Sequence, residues 1–324
     1  MREPRFWRRG GDPWPARLLS PVGALYGAAT ILRRWSHQPY RAPVPVVVAG
    51  GITLGGAGKT PLALTLATLL AARGPHFLSR GYGGSEAGPL RVDPLRHGAK
   101  DVGDEPLLLA GSAPTWVARD RAAGAKAAAA AGAGLIILDD GFQNPFLAKD
   151  LAFLAIDGES GLGNGHVFPA GPLREPIATA LRRAQAVVLI GVDRVGLAGV
   201  IADRCPILPA RLVAADPGAV AGKPVYAFAG IGRPEKFFAS LEGAGAIVAG
   251  RREFPDHHPF SESELAEVLA AATALGAIPI TTAKDRLRLP SGVRERVRVV
   301  EVKLVFEDPA AVEAVLARLQ PRAA

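Results

Sequence analysis

The stretch from Pro45 to Ala72, PVVVAGGITLGGAGKTPLALTLATLLAA, decides the fold of this 324-residue chain. Its β-branched run at 46–48 predicts a buried strand, and the periodic leucines after position 60 predict a helix packed on a sheet. Between them lies a glycine-rich loop, in which backbone N–H groups can turn toward phosphate oxygens at the start of a helix. The order strand, loop, helix therefore predicts a nucleotide site.

The loop itself supplies the predicted nucleotide ligands. We expect Lys59 to reach the β and γ phosphates, and the Thr60 hydroxyl to bind the magnesium ion that bridges them. The usual pattern is G-x-x-x-x-G-K-[ST], whereas here Thr53 replaces the first glycine. A glycine-rich turn without a ligand is the alternative. The residues predicted to contact the nucleotide are Thr53, Leu54, Gly55, Gly56, Ala57, Gly58, Lys59 and Thr60.

Composition limits the class of protein. Hydrophobic residues make up 49% of the chain and aromatic residues 6%, which indicates a globular protein of one large or two medium domains. The net charge of +8 favours an anionic partner: nucleic acid, an acidic membrane surface or a phosphorylated substrate. Cys205 is the only cysteine, so there is no intrachain disulfide and no zinc-type spacing, and cytosolic chemistry is the default.

The N-terminal segment combines basic and apolar residues. Residues 2–17 are rich in Arg, Trp and Pro, and the apolar run Leu18–Leu32 is closed by Arg33-Arg34-Trp35. This run is shorter than the roughly 20 residues that span a bilayer. We therefore predict a helix that lies in the plane of the membrane interface. A core helix, a signal peptide and a spanning segment are the alternatives.

Acidic residues occur at two positions where active-site residues of parallel α/β proteins can lie. A predicted strand at 135–138 ends in Asp139 and Asp140, as expected of the strand that orients magnesium in a phosphate-loop enzyme. A simple turn is the alternative. Asp104 begins a predicted helix, where capping of free N–H groups explains an acidic residue as well as a catalytic role does.

A long loop at 163–176 is dense in Gly and Pro, and loops of this length tend to be functional. Its Arg174 and Glu175 are candidates for contacts with nucleotide or substrate. The alternation of strands and helices predicts an α/β fold with a mostly parallel sheet and helices on both faces. A looser stretch around 212–223 suggests a boundary, followed by a second αβ unit with a strand at 297–302 and a helix at 309–319. The predicted division is 1–40, 41–215 and 216–324.

The set of motifs resembles the tetraacyldisaccharide 4′-kinase family, the lipid A 4′-kinases of Gram-negative bacteria. The matching pieces follow one order over most of the chain: TLGGAGKTP at 53–61, SRGYGG at 79–84, GDEP at 103–106, DDGFQ at 139–143, the GNG…PAGPLREP loop, AGIGRPEKFF at 229–238 and FPDHH at 254–258. Asn144 stands where the family commonly has His, and TAKD at 282–285 where it has T-E-K-D. Both departures bear on contacts around the site more than on the reaction.

The resemblance implies transfer of the ATP γ-phosphoryl group to the 4′-hydroxyl of an acylated glucosamine disaccharide 1-phosphate, with formation of lipid IVA. It implies Mg²⁺ with ATP, and a cleft between a phosphate-loop domain and a smaller second α/β domain. The family's catalytic Asp-His pair maps onto Asp104 and His257, with His258 as the adjacent alternative. Supporting contacts to substrate or to these residues are expected from Arg80, Gln143, Arg174, Glu175 and His258.

A lipid acceptor also explains the N-terminal segment. An enzyme that acts on it is expected at the cytoplasmic face of the bacterial inner membrane, as a peripheral or monotopic protein. The apolar helix would then lie among acyl chains, with basic side chains near anionic headgroups. The arginines expected there are Arg2, Arg5, Arg8 and Arg9.

Three other functions are open on the sequence. A peripheral-membrane ATPase switch usually has a lysine where this chain has Leu54. A GTPase normally has an N/T-K-x-D element, whereas the lysine of the TAKD segment at 282–285 comes one place late. Nucleic-acid binding is suggested only by charge, and since aromatic residues are few and no RNA- or DNA-binding module is present, we expect no nucleic-acid partner.

Overall fold

The structure is a computed structural model that describes residues 4–320 and residue 322. Its strands are β1 (Val46–Gly51), β2 (Pro75–Ser79), β3 (Leu90–Arg91), β4 (Thr115–Val117), β5 (Leu135–Asp139), β6 (Leu151–Asp157), β7 (Ala186–Ile190), β8 (Ile207–Ala214), β9 (Pro224–Ala229), β10 (Ile247–Glu253), β11 (Ile278–Thr282), β12 (Arg298–Val300) and β13 (Val302–Phe306).

The α-helices of the described residues are α1 (Pro13–Trp35), α2 (Lys59–Leu69), α3 (Ala99–Val102), α4 (Asp104–Ala110), α5 (Arg121–Ala130), α6 (Ile177–Leu181), α7 (Leu197–Ile201), α8 (Pro234–Gly243), α9 (Glu262–Ala274), α10 (Ala283–Arg286), α11 (Ser291–Arg294) and α12 (Pro309–Leu316). Short 3₁₀ helices cover Arg5–Trp7, Ala71–Arg73 and Pro217–Ala219.

The larger sheet has nine strands in the order β13-β8-β7-β6-β1-β5-β2-β4-β3. All neighbouring pairs are parallel except the two at the edges, β13 with β8 and β3 with β4. Strand β1 is fully buried in the middle. Because parallel strands end at one edge, the loops after β1, β5 and β6 converge there.

Helices cover both faces of this sheet, which confirms the predicted α/β fold. Along β1 the side chains alternate: Val47 and Ala49 pack with α2 and α12 on one face, and Val46 and Val48 pack with α5, α6 and α7 on the other. Two separate apolar layers result, one on each side of the sheet. We refer to the nine-stranded sheet and its helices as the first lobe.

A second, four-stranded sheet has the order β10-β9-β11-β12, with every pair parallel. Helix α8 packs on one face through Phe237 and Phe238, and α9 packs on the other through Leu265 and Val268. This sheet and its helices form the second lobe. The sequence had indicated a smaller second α/β unit of this kind.

The end of the chain returns to the first lobe. The predicted single strand at 297–302 is two strands, since β12 pairs with β11 in the small sheet and β13 pairs antiparallel with β8 in the large one. Helix α12 packs beside α2. The looser stretch expected after 212 is also shorter than predicted, because β8 runs to Ala214. The division at residue 216 stays a prediction. Strand β13 and helix α12 come after that residue in the chain but pack with the first lobe.

Helix α1 is longer than the predicted apolar run and is 23 residues long. Asp12 caps its start by accepting a hydrogen bond from the Trp14 N–H at 3.0 Å. Its buried face consists of small residues, Ala16, Gly23 and Gly27. None of the helices in residues 4–320 combines the length and apolar character that crossing a bilayer requires. Arg2 lies outside the described residues.

Candidate active site

The phosphate loop lies at the carboxyl end of β1 and turns directly into α2. Gly58 has φ +79°, a left-handed conformation that suits glycine, and it caps the helix that begins at Lys59. The long loop at 163–176 runs alongside: the Leu54 N–H donates to the Pro172 carbonyl at 2.8 Å, and the Arg174 N–H donates to the Ile52 carbonyl at 2.8 Å. The two loops whose functions were predicted separately thus form one structure.

Thr60 and Asp139 meet beneath the phosphate loop. The Thr60 hydroxyl donates to Asp139 Oδ2 at 3.3 Å, whereas Asp139 Oδ1 is buried without a hydrogen-bond partner among the described residues. The pKa of Asp139 is raised to about 8, chiefly by burial and also by the nearby charges of Glu105 and Asp140, against the opposing effect of Lys59. A cation would stabilise the ionised form of this carboxyl.

These residues fit a magnesium ion. Mg²⁺ in nucleotide sites is held by one or two carboxylates or hydroxyls together with phosphates and water, rather than by a complete protein cage. No cluster of three or more His, Cys, Asp or Glu side chains suited to a metal occurs in the described part of the chain. The contact with Thr60 makes Asp139 the better placed of the two predicted carboxylates.

Asp140 is turned toward cations instead. Its backbone has φ +56°, which is uncommon for a residue other than glycine and is often found at functional sites. Oδ1 accepts a hydrogen bond from Arg174 Nη1 at 2.8 Å, and Oδ2 lies 3.7 Å from Lys59 Nζ. Burial raises the pKa of Asp140, but the charges of Lys59 and Arg174 outweigh burial and leave that pKa below its usual value.

A buried arginine that the sequence analysis did not single out stands behind this pair of acids. Arg121 begins α5, is 4% exposed, and donates from Nη1 to the Ala118 carbonyl. The pKa of Arg121 is lowered to about 10, chiefly by burial and also by the neighbouring charge of Arg80, against the opposing effect of Asp140. Arg80 itself is exposed at the end of β2. Both predicted and unpredicted cations thus surround the carboxylates.

Glu175 and Gln143 lie deeper than predicted. Glu175 is 0% exposed and pairs with Arg183 at 2.5 Å and with Arg34 of helix α1 at 3.3 Å. The Gln143 amide donates to the Gly51 carbonyl at 2.9 Å and to Glu175 at 3.4 Å. With its carboxylate enclosed in this way, Glu175 can support the loop that carries Arg174 but does not face the cleft.

The predicted Asp-His pair is brought together across the two lobes. Asp104 at the start of α4 accepts a hydrogen bond from His257 Nδ1 at 3.1 Å. Burial raises the pKa of Asp104, but the hydrogen bond from His257 and the charges of Arg288 and Lys284 together leave it below its usual value. His257 has φ +58°, so its backbone, like that of Asp140, is in an unusual conformation.

His258, the alternative member of the pair, points elsewhere. Its Nε2 contacts the Glu264 carboxylate at 3.0 Å, and its ring stacks on Phe254 with 4.9 Å between centroids. Glu264 also forms the predicted capping box with Ser261 at the start of α9. The choice of His257 over His258 therefore agrees with the geometry, and His258 supports the turn that carries it.

Two cations on and just after α10 contact consecutive carboxylates of the first lobe. Lys284 Nζ donates to Glu105 Oε1 at 3.1 Å, and Arg288 Nε lies 3.2 Å from Asp104 Oδ2. The sequence analysis missed Arg288. A signal was available, because it follows Asp285 by three residues, the spacing of neighbours on a helix, and the two side chains pair at 2.8 Å.

A second bridge between the lobes stands at the end of β6. Asp157 is 3% exposed and lies 2.6 Å from Lys236 Nζ and 3.3 Å from Arg233 Nη1. The preceding Gly232 lies against the phosphate loop, since a Cβ there would be only 3.3 Å from the Gly56 nitrogen. Asp157 ends a buried strand at the same sheet edge as Asp139, so the sequence carried the same signal for both residues, although only Asp139 was predicted.

Comparisons with known proteins identify the family of this chain. A family model described as tetraacyldisaccharide-1-P 4′-kinase matches residues 15–320. A protein of Rhodospirillum centenum named tetraacyldisaccharide 4′-kinase is 54% identical over 329 aligned residues, which cover 98% of this chain and 97% of that protein. One of the same name from Gluconacetobacter diazotrophicus is 53% identical, with 98% and 97% covered.

A solved structure gives the same answer for the fold. The "apo" form of LpxK from Aquifex aeolicus in complex with ATP has a TM-score of 0.74 with this chain at 28% identity, and the match covers 94% of this chain and 99% of that one. Sequence and fold agree over almost the whole length. The chain therefore belongs to the tetraacyldisaccharide 4′-kinase family.

Proposed function

We propose that this chain transfers the γ-phosphoryl group of ATP to the 4′-hydroxyl of tetraacyldisaccharide 1-phosphate and forms lipid IVA. Family membership supplies the identity of the acceptor. The observation that carries the mechanism is the contact of Asp104 with His257 across the cleft beside the phosphate loop. An enzyme that only hydrolyses ATP as a switch has no need of such a pair.

The pair provides a general base. A sugar hydroxyl is a poor nucleophile near neutral pH, so a group within hydrogen-bond reach must accept its proton as phosphorus is attacked. Asp104 accepts from Nδ1 of His257, which holds the ring in the tautomer whose Nε2 is available to the hydroxyl, and the carboxylate stabilises the imidazolium that forms. That geometry supports the roles proposed for these two residues.

The phosphate loop provides the groups that bind the phosphates of ATP and stabilise their charge during the transfer. Lys59 Nζ lies within 3.7 Å of Asp140 and 3.3 Å of the Gly55 carbonyl, so its charge is already held over the loop where phosphate oxygens bind. Thr60 and Asp139 would hold Mg²⁺, which when bound neutralises charge on the transferring phosphates. Arg174, held against Asp140, adds positive charge beside them.

Helix α1 is proposed to attach the enzyme to an anionic membrane surface at the cytoplasmic face. Its small buried residues leave an opposite face of exposed apolar side chains, which includes Leu18, Leu25 and Leu32 at 64%, 71% and 68% exposure. These leucines are seven residues apart, so they lie on one side of the helix. An exposed apolar stripe flanked by arginines is typical of a helix that lies in a membrane interface.

The test is direct. The purified protein is incubated with ATP, Mg²⁺ and the disaccharide lipid, and the position of the new phosphate on the product is determined. We expect a single new phosphate at the 4′ position. Acceptor-independent hydrolysis of ATP that the lipid does not affect would contradict the proposal, and GTP in place of ATP tests the remaining alternative.

A further inference from the structure

We propose that Arg288 is a positioning residue for the Asp104–His257 pair: it orients the Asp104 carboxylate and supplies a positive charge that opposes protonation of the pair. This inference rests on the proposed function, because it assigns His257 the part of a general base. It adds a third member to the pair, from a position that no motif marks.

Arg288 contacts the two backbone segments that hold His257. Its side chain is 8% exposed. Nη1 donates to the carbonyl of His258 at 3.1 Å, and Nη2 donates to the carbonyl of Gly230 at 3.1 Å. The His257 N–H in turn donates to the same Gly230 carbonyl at 3.1 Å. One guanidinium therefore fixes both chain segments that hold the histidine in its unusual backbone conformation.

Asp285 anchors that guanidinium. It is 0% exposed and accepts hydrogen bonds from the Gly230 N–H at 3.1 Å, the Thr282 hydroxyl at 2.7 Å and Arg288 Nη2 at 2.8 Å. A bidentate or forked guanidinium held at several points loses little further freedom when it engages another carboxylate. The position of Arg288 is thus set by the second lobe alone, before it meets the first.

The remaining donor of Arg288 faces Asp104. Nε lies 3.2 Å from Asp104 Oδ2, but the angle is not that of a hydrogen bond, and Nε has no other acceptor within the described residues. Leaving a buried N–H without an acceptor is unfavourable. The short distance to Asp104 Oδ2 nevertheless places the guanidinium charge directly beside the carboxylate that accepts from His257.

The charge of Arg288 also affects how strongly the Asp104–His257 pair binds a proton. Asp104 is faced by His257, Arg288 and Lys284, and its pKa is below the usual value partly because of Arg288. On the other side of the ring, His257 Nε2 is 3.8 Å from Asp256, and the Tyr82 ring centroid lies 6.1 Å from that of His257. Removal of the guanidinium leaves two carboxylates beside the imidazole with one cation fewer, so the pair holds its proton more strongly.

The experiment measures the pH dependence of kcat for the full-length protein with ATP, Mg²⁺ and the disaccharide lipid. Arg288→Gln removes the charge, Arg288→Lys keeps it, and Arg286→Gln is the matched control, since Arg286 is an exposed arginine at the end of α10, two residues before Arg288. In Arg288→Gln we expect the acidic limb of the pH profile of kcat to shift to higher pH by about 1 unit. The KM for ATP should stay within about twofold, because Arg288 does not touch the phosphate loop.

Arg288→Lys should retain the wild-type limb with a lower kcat, and Arg286→Gln should match the wild type in both respects. A limb that stays in place in Arg288→Gln while kcat falls would overturn the proposal, as would a limb that moves in Arg288→Lys. Thermal unfolding of each variant shows whether it is folded, and the lysine variant serves if glutamine is not tolerated. Failure of the wild-type protein to phosphorylate the lipid would instead refute the proposed function.

Discussion

Nδ1 of His257 lies 3.1 Å from Oδ2 of Asp104, although 153 positions separate the two residues in the chain and they belong to different lobes. Neither lobe contains the pair by itself. Formation of the proposed general base therefore depends on how the four-stranded sheet is placed against the nine-stranded one. The ion pairs at Asp157 and at Glu105 join the same two lobes on either side of it.

The first prediction separates the two adjacent histidines. His257→Asn should lower kcat by about 10²–10⁴-fold with little change in the KM for ATP, because only proton transfer from the acceptor is lost. His258→Asn should have a much smaller effect on kcat, since His258 contacts Glu264 rather than Asp104. Steady-state kinetics with the lipid acceptor measure both. A larger loss in the His258 variant would mean that the wrong histidine has been assigned.

The second prediction concerns the charge above the phosphate loop. Lys59→Ala should lower kcat by at least about 10²-fold, because a cation that stabilises the transferring phosphoryl group is removed. Lys303→Ala is the control, since Lys303 is an exposed lysine on the edge strand β13. Turnover of both variants is measured at saturating ATP and lipid. Near-normal turnover in Lys59→Ala would exclude this loop as the donor site.

The third prediction concerns stability at the second bridge between the lobes. Asp157→Asn should lower the free energy of unfolding by about 1–3 kcal/mol at neutral pH, less than for a fully buried pair because Lys236 and Arg233 are partly exposed. Denaturant unfolding of wild type and variant measures the difference. Asp203→Asn, at an exposed aspartate, is the control and should change little.

The difference in the free energy of unfolding between wild type and Asp157→Asn should depend on pH with a definite sign. Burial raises the pKa of Asp157, but Lys236 and Arg233 outweigh burial and lower it below the ordinary value of 3.8. A carboxyl with a lowered pKa in the folded state stabilises the fold above its unfolded pKa and loses that contribution as pH falls through the folded value. The gap between wild type and Asp157→Asn should therefore be constant above about pH 5 and narrow below about pH 4. A gap that widens in acid would contradict the assigned ion pairs.

The fourth prediction tests membrane attachment through helix α1. Replacing Leu18, Leu25 and Leu32 by Gln should weaken binding to anionic phospholipid vesicles by at least about 10-fold, because each leucine that enters the interface contributes apolar burial. The control replaces three exposed leucines elsewhere, Leu69, Leu95 and Leu275. Vesicle sedimentation compares the two triple variants. Equal loss of binding in both, or in neither, would argue against α1 as the attachment site.

Local sequence pattern was sufficient to predict elements of both lobes. In three places a short-range pattern specified one local structure. These are the β-branched run before the phosphate loop, the strand that ends in Asp139 and the capping box at Ser261. The histidine of the pair was assigned through family resemblance, and the geometry agrees with it. Spacing alone had left Asp104 as either a helix cap or a catalytic residue.

What the sequence could not show is which distant residues meet. Local pattern gives Arg288 and Asp157 no partner across the lobes, and they matter because the lobes bring Asp104, Lys236 and Arg233 to them. The split of the strand predicted at 297–302 is of the same kind, since neighbouring residues pair with strands that are far apart in sequence. The burial of Glu175 likewise depends on Arg34, which approaches from a helix 141 residues away.

The small residues on the inner face of α1 determine more than how the helix packs. A Cβ at Gly23 would lie 2.8 Å from the Val167 carbonyl, so the helix rests directly on the backbone of the loop whose other end pairs with Leu54 and Ile52. In the proposed attached state, the depth of α1 in the headgroup layer sets the height of the bound ATP above it. The enzyme would then select among glycolipids by how far each lifts its sugar from the bilayer.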